Sequence, residues 1–118
     1  MAPSVLIVDD HSSFRASVRV LLEAEGFDVV GEAGDGAAAV AEALRLRPDV
    51  VLLDVQLPDT DGFDVAARLA EMGAPVPAVI LVSSRDSSDF GPLVSRCGAC
   101  GFVPKGELSG DRVQDLLA

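Results

Sequence analysis

The chain is poor in basic residues, in histidine and cysteine, and in long apolar runs, and each shortage removes a class of function. Nine lysines and arginines stand against 19 acidic residues, for a formal net charge of -10. A surface this acidic repels nucleic-acid phosphates, so these 118 residues are not expected to bind DNA or RNA themselves. The longest apolar run, Val76 to Val82, is interrupted by Pro77 and is far too short to span a bilayer. Asp9 and Asp10 break the first apolar run, against a signal peptide, and a cytoplasmic protein with no membrane association is expected. His11 is the single histidine, which removes histidine-based metal clusters and acid–base dyads and leaves it as an exposed helix-start residue. The two cysteines form Cys97-Gly98-Ala99-Cys100 at the end of a helical segment, the wrong end for a dipole-activated thiolate. Partners for a four-ligand zinc site are missing as well.

What remains is ordinary globular composition, 49% hydrophobic and 24% charged, in a single domain over residues 1–118. Val5-Leu6-Ile7-Val8, Val50-Val51-Leu52-Leu53 and Val79-Ile80-Leu81-Val82 are continuous apolar runs, as in parallel strands buried on both faces. Phe27-Asp28-Val29-Val30 and Gly101-Phe102-Val103 are weaker, more peripheral strands. Between them, Phe14, Val18, Leu21 and Leu22 recur at helical spacing after possible N-caps at Ser12 and Ser13. Ala37, Val40, Ala41 and Leu44 form a second stripe, and Val65, Ala66, Leu69 and Met72 a third. Phe90, Leu93, Val94 and Cys97 suggest a fourth helix disturbed by Gly91-Pro92, and Val113, Leu116 and Leu117 a short fifth. Five strand–helix repeats predict a doubly wound, five-stranded parallel α/β sheet of order 2-1-3-4-5 with helices on both faces.

In such sheets ligands bind outside the carboxyl ends of the strands. Asp9 and Asp10 follow the first strand, Asp54 the third, Ser83 the fourth, and Lys105 lies just past the fifth. Three clustered carboxylates repel one another unless a cation compensates, and hard oxygen ligands suit Mg²⁺. A carboxylate can attack phosphorus to give an acyl phosphate, with Lys105 and Ser83 supplying donors to the phosphoryl oxygens. A dinucleotide-binding reading fails because no glycine-rich turn follows the first strand. A haloacid dehalogenase-type phosphatase would need a second Asp where His11 stands, and a cobalamin-binding motif would need Gly where Phe14 stands.

The strings Val8-Asp9-Asp10-His11, Asp54-Val55-Gln56-Leu57-Pro58-Asp59-Thr60-Asp61-Gly62, Ser83, and Gly101-Phe102-Val103-Pro104-Lys105 closely resemble the receiver domains of response regulators. The resemblance covers the whole chain and implies the flavodoxin-like form of the sheet. It implies Asp54 as the phosphorylated residue, with Mg²⁺ bound directly by Asp10 and Asp54, through water by Asp9, and by the backbone carbonyl of Gln56. It makes Ser83 and Lys105 the ligands of the phosphoryl oxygens and Phe102 the switch aromatic. On phosphorylation Ser83 would move toward the new group and Phe102 would turn inward, altering the face made by the fourth helix, fifth strand and fifth helix. A sensor histidine kinase is the implied donor and a homodimer is allowed. Apart from self-phosphorylation and autodephosphorylation no enzyme activity is expected.

Asp10-His11-x-x-Phe14-Arg15 and Val30-Gly31-Glu32-Ala33-x-Asp35-Gly36 resemble the NarL/LuxR-type subgroup, whose members act on transcription through a C-terminal helix-turn-helix domain. These 118 residues hold no such domain, so DNA would be reached only through a part outside this chain, and a receiver cut from a longer regulator is expected rather than a stand-alone one. A receiver that serves only as a protein-interaction module, without phosphorylation, is the alternative. Two positions depart from the pattern: Gly106 stands where many receivers have Pro after the Lys, and Phe102 lacks the hydroxyl of a Tyr switch. Gln56 and Arg85 flank the pocket where they would affect access of water.

Overall fold

The structure, a computed structural model, describes residues 2–73, 76–84 and 98–117. The strands are β1 (Ser4–Val8), β2 (Asp28–Ala33), β3 (Val50–Asp54), β4 (Ala78–Ser83) and β5 (Gly101–Pro104). They pair in parallel in the order β2-β1-β3-β4-β5, as expected. The described helices are α1 (Ser12–Ala24), α2 (Gly36–Leu46), α3 (Gly62–Ala70) and α4 (Gly110–Leu117), with a 3₁₀ turn at Lys105–Glu107. The fourth helix expected around Phe90, Leu93 and Val94, with Cys97 and Arg85, lies outside the described residues. Cys100 is an exposed free thiol.

Strand side chains alternate between faces, and the core accordingly divides in two. Leu6, Val8, Val51, Leu53, Val79 and Leu81 pack on one side with Ala39 and Ala43 of α2 and Val65, Ala66 and Leu69 of α3. Val5, Ile7, Val50, Leu52, Ile80 and Val82 pack on the other with Val18 and Leu22 of α1 and Val113 of α4. Both faces are buried, which is why these strands read as unbroken apolar runs.

Three local expectations are corrected. The N-cap of α1 is His11, not Ser12 or Ser13, because the turn into the helix is held one residue earlier, where the Asp9 carboxylate accepts the His11 N–H at 2.8 Å. On α2 the packed residues are Gly36, Ala39 and Ala43, whereas Ala37, Ala41 and Leu44 are exposed. The cause lies at the helix start: Asp35 accepts the Ala38 N–H at 2.7 Å and Asp59 accepts the N–H groups of Gly36 and Ala37 at 2.8 and 3.0 Å. These bonds turn the Gly36 face toward α3, where an added Cβ would lie 2.3 Å from a Thr60 methyl. Finally, β2 runs on to Ala33 and carries a bulge: Val5 pairs with Val29 but Leu6 with Gly31. The skipped residue, Val30, puts Val29 and Ala33 in opposite halves of the core despite their even spacing.

Candidate functional site

The alternation that builds the core also aims the site. Asp9 extends the series Val5, Ile7, and Asp54 extends Val50, Leu52, so both carboxylates project on the α1 side of the sheet where the strands end. Both are buried: Asp9 is fully covered and Asp54 is 4% exposed. The β1 end is held by the Asp9 N–H donating to Ala33 O at 3.0 Å, and the β3 end by the Val55 N–H donating to Val82 O at 3.0 Å. Ligand oxygens of Asp9, Asp10 and Asp54 and a ring nitrogen of His11 all lie within 4.8 Å of one another.

Lys105 enters this group from the turn after β5. Its Nζ is 2.6 Å from Asp9 Oδ2, 3.4 Å from Asp54 Oδ2, and 4.3 Å from the centre of the Phe14 ring. Asp9 Oδ2 makes no hydrogen bond of good geometry, so the ammonium meets it as an ion pair rather than an aligned bond. Burial by itself would lower the Lys105 pKa, but the carboxylates of Asp9 and Asp54 outweigh it and hold the ammonium above the ordinary lysine value. For Asp54 the balance runs the other way. Burial, with Asp9 adding to it, raises its pKa against the opposing Gln56 N–H (3.2 Å from Oδ1) and Lys105. Lys105 is the only lysine of the chain and is spent inside the pocket.

The β3–α3 loop is a tight hairpin. Leu57 N–H donates to Thr60 O at 3.1 Å and Gly62 N–H to Val55 O at 2.7 Å, bracketing a bridge between Gln56 and Asp61. That ladder leaves the Gln56 carbonyl out of its own pairing, while the Gln56 N–H turns to Asp54. Gly62 begins α3 under Asp61, whose carboxylate accepts the Asp64 N–H at 2.8 Å. A Cβ on Gly62 would sit 2.5 Å from the Asp54 carbonyl oxygen, so only glycine lets the helix start this close to β3.

Of the residues expected in the pocket, Asp9, Asp10, Asp54 and Lys105 are brought together. Ser83 is buried at the end of β4, in register with Pro104. Phe102 pairs with Leu81 and packs with the α2/α3 half of the core, so by alternation Ser83 and Phe102 share that face on adjacent strands. His11 is exposed at the helix start as expected, yet its Nδ1 also lies 3.1 Å from Asp9 and 3.0 Å from Asp10. Phe14 as a cover over Lys105 and Asp59 as a tether to α2 were not among the expected site residues; a lone lysine with an aromatic four residues past the acidic pair is the available signal for the first. The departure at Gly106 is accommodated by the 3₁₀ turn beginning at Lys105.

Residues 5–116 match the model of the response regulator receiver domain family. The chain belongs to that family. Phosphorylation on an aspartate is the general function of these domains, and they work in two-component signalling rather than as an enzyme family. Among its relatives, the nitrate/nitrite response regulator NarP of Escherichia coli is 44% identical over 102 residues, 86% of this chain and 47% of NarP. BvgA of Bordetella pertussis is 41% identical over 107 residues, 91% of this chain and 51% of BvgA. The chain thus spans about half the length of the curated relatives it matches. The receiver domain of the NarL response regulator of Mycobacterium tuberculosis superposes with a TM-score of 0.85 at 34% identity, covering 99% of this chain and 98% of that one. These likenesses bear out the subgroup as well as the fold. Receiver domains bind Mg²⁺ at an acidic pocket, and an aspartate-rich cluster of that kind stands at these strand ends. Among the described residues no helix is long and apolar enough to cross a membrane.

Proposed function

We propose that Asp54 is the phosphoacceptor of this receiver, with Mg²⁺ held by Asp10, Asp54 and the Gln56 carbonyl and, through water, by Asp9. The observation that carries this is a buried Asp54 with oxygens of Asp9 and Asp10 within 4.8 Å and the Lys105 ammonium at 3.4 Å. The donor set fits: all three side chains are hard carboxylates, and Asp9 Oδ2 is buried without an aligned hydrogen bond. When bound, Mg²⁺ supplies charge neutralisation and in-line orientation of the phosphoryl group.

The chain's own residues do the rest. An Asp54 carboxylate oxygen forms the bond to phosphorus as the donor's bond to phosphorus breaks, giving an acyl phosphate. The Gln56 N–H keeps the other Asp54 oxygen in place. Lys105 moves from the carboxylates to the phosphoryl oxygens, and Ser83 donates its hydroxyl to them. The displaced Ser83 leaves room for Phe102 to turn inward, and the two-state equilibrium of the β4–β5 region shifts. A sensor histidine kinase in the cytoplasm is the donor. The output is transcriptional, through a DNA-binding part not among these 118 residues, with a homodimer as a further arrangement.

Incubation with acetyl phosphate and Mg²⁺, followed by intact mass, tests this reading. The wild type gains one phosphoryl group and Asp54→Asn gains none. No adduct on the wild type would leave a receiver that works only as an interaction module. For the switch, Phe102→Ala should still be phosphorylated but lose the phosphorylation-dependent response.

A further inference from the structure

We propose that Arg15 is a positioning residue for the acidic pocket, fixing the peptide plane between Asp9 and Asp10 and with it the direction in which the Asp10 carboxylate meets a divalent cation. The inference rests on the reading of Asp10 as a metal ligand.

Arg15 and Glu32 belong to two separate motif strings, and the fold joins them. An Arg15 Nη1–H donates to the carbonyl oxygen of Asp9, while its Nε lies 3.0 Å from Glu32 Oε1. That carbonyl shares its peptide plane with the Asp10 N–H, so holding it sets where the Asp10 backbone, and hence its side chain, starts. The opposite side of Asp9 is held too, by its N–H on Ala33 O. Both restraints trace back to β2, one through the backbone and one through Glu32.

The β2 bulge makes this possible. Without the skipped residue, Glu32 would fall opposite Val29, on the face away from α1. With it, Glu32 pairs with Ile7 and so faces α1, where Arg15 and Arg19 reach it. Only a forked guanidinium spans both acceptors at once, since Nε and Nη1 point in fixed, different directions. Arg15 is largely covered, its side chain 20% exposed.

Arg19 supplies a control inside the same network. It meets the other Glu32 oxygen at 2.9 Å and Val29 O at 3.5 Å, and ties α1 to β2 without contacting Asp9 or Asp10. If Arg15 were only such a tie, the two arginines would behave alike.

Calorimetric titration of the 118-residue chain with Mg²⁺ separates the two roles. Arg15→Gln should weaken Mg²⁺ binding about tenfold, the low end for residues that orient a metal ligand. Arg19→Gln should stay within about twofold of wild type, although both variants lose a comparable amount in Tm. Equal affinities for the two variants, or an unchanged Arg15→Gln, would overturn the proposal. Should Arg15→Gln not fold, Arg15→Lys keeps the charge but reaches one acceptor only, and wild-type affinity there would overturn it as well. Failure of the wild type to bind Mg²⁺ sinks the reading of the site itself and the role of Arg15 with it, an outcome distinct from binding that Arg15 does not influence.

Discussion

The ammonium of Lys105 lies 2.6 Å from the carboxylate of Asp9, a side chain with no solvent exposure at all. This lysine is a counter-ion within the pocket, balancing a group of carboxylates that would otherwise repel one another. Lys105→Ala should therefore lower stability in the absence of Mg²⁺ by about 3 kcal/mol, the low end for a broken buried pair. Added Mg²⁺ should raise the Tm of the variant by more than that of the wild type. Equal Mg²⁺-induced shifts in thermal denaturation would show that the lysine does not balance these carboxylates.

Asp54 should weaken the fold it serves. Its pKa is raised by burial and by Asp9, so the folded chain holds this proton more tightly than the unfolded one. Stability is then lost as pH rises from the ordinary carboxylate value through the raised one, and the loss is complete above it. Asp54→Asn should consequently have a higher Tm than wild type at neutral pH without Mg²⁺. The advantage should shrink as pH falls through the raised value and vanish below the ordinary carboxylate range.

Asp59 should show the opposite sign. The N–H of Gly36 foremost, and that of Ala37, hold its pKa below the usual carboxylate value. Its contribution is present above the unfolded pKa and disappears as pH falls through the depressed one. Asp59→Ala should lower the Tm at neutral pH, and the gap to wild type should close in acid. Thermal melts of both variants over one pH series would display the two slopes side by side.

Glycine substitutions should separate tight from open backbone. A Cβ at Gly62 meets the Asp54 backbone at 2.5 Å, whereas at Gly106 it meets nothing within 4 Å. Gly62→Ala should cost about 1–3 kcal/mol and slow phosphorylation, because relief of the clash displaces Asp54. Gly106→Ala should stay within about 0.5 kcal/mol of wild type. Chemical denaturation of the two variants measures this directly.

Much of the sheet could be read from the residues because each central strand is buried on both faces and its apolar run is unbroken from end to end, as in Val5 to Val8. The carboxylates at the strand ends were legible for the same reason, since a charge that ends such a run must face the crevice. The β2 bulge was not, because Val30-Gly31 carries no local signal that one residue is skipped. The α2 stripe was misplaced because alanines line more than one side of that helix, and its rotation is set by Asp59 from a distant loop. Arg15 was visible as part of a motif but not as a contact. Its partners, Glu32 and the Asp9 carbonyl, come together only in three dimensions.

The role proposed for Asp54 depends on which carboxylate takes the phosphoryl group. Treatment with acetyl phosphate and Mg²⁺, then borohydride, reduces an acyl phosphate to the alcohol and leaves homoserine in place of the acceptor aspartate. Peptide mass spectrometry should find homoserine at position 54 alone, dependent on Mg²⁺. Homoserine at position 9 or 10, or none at any position, would contradict it.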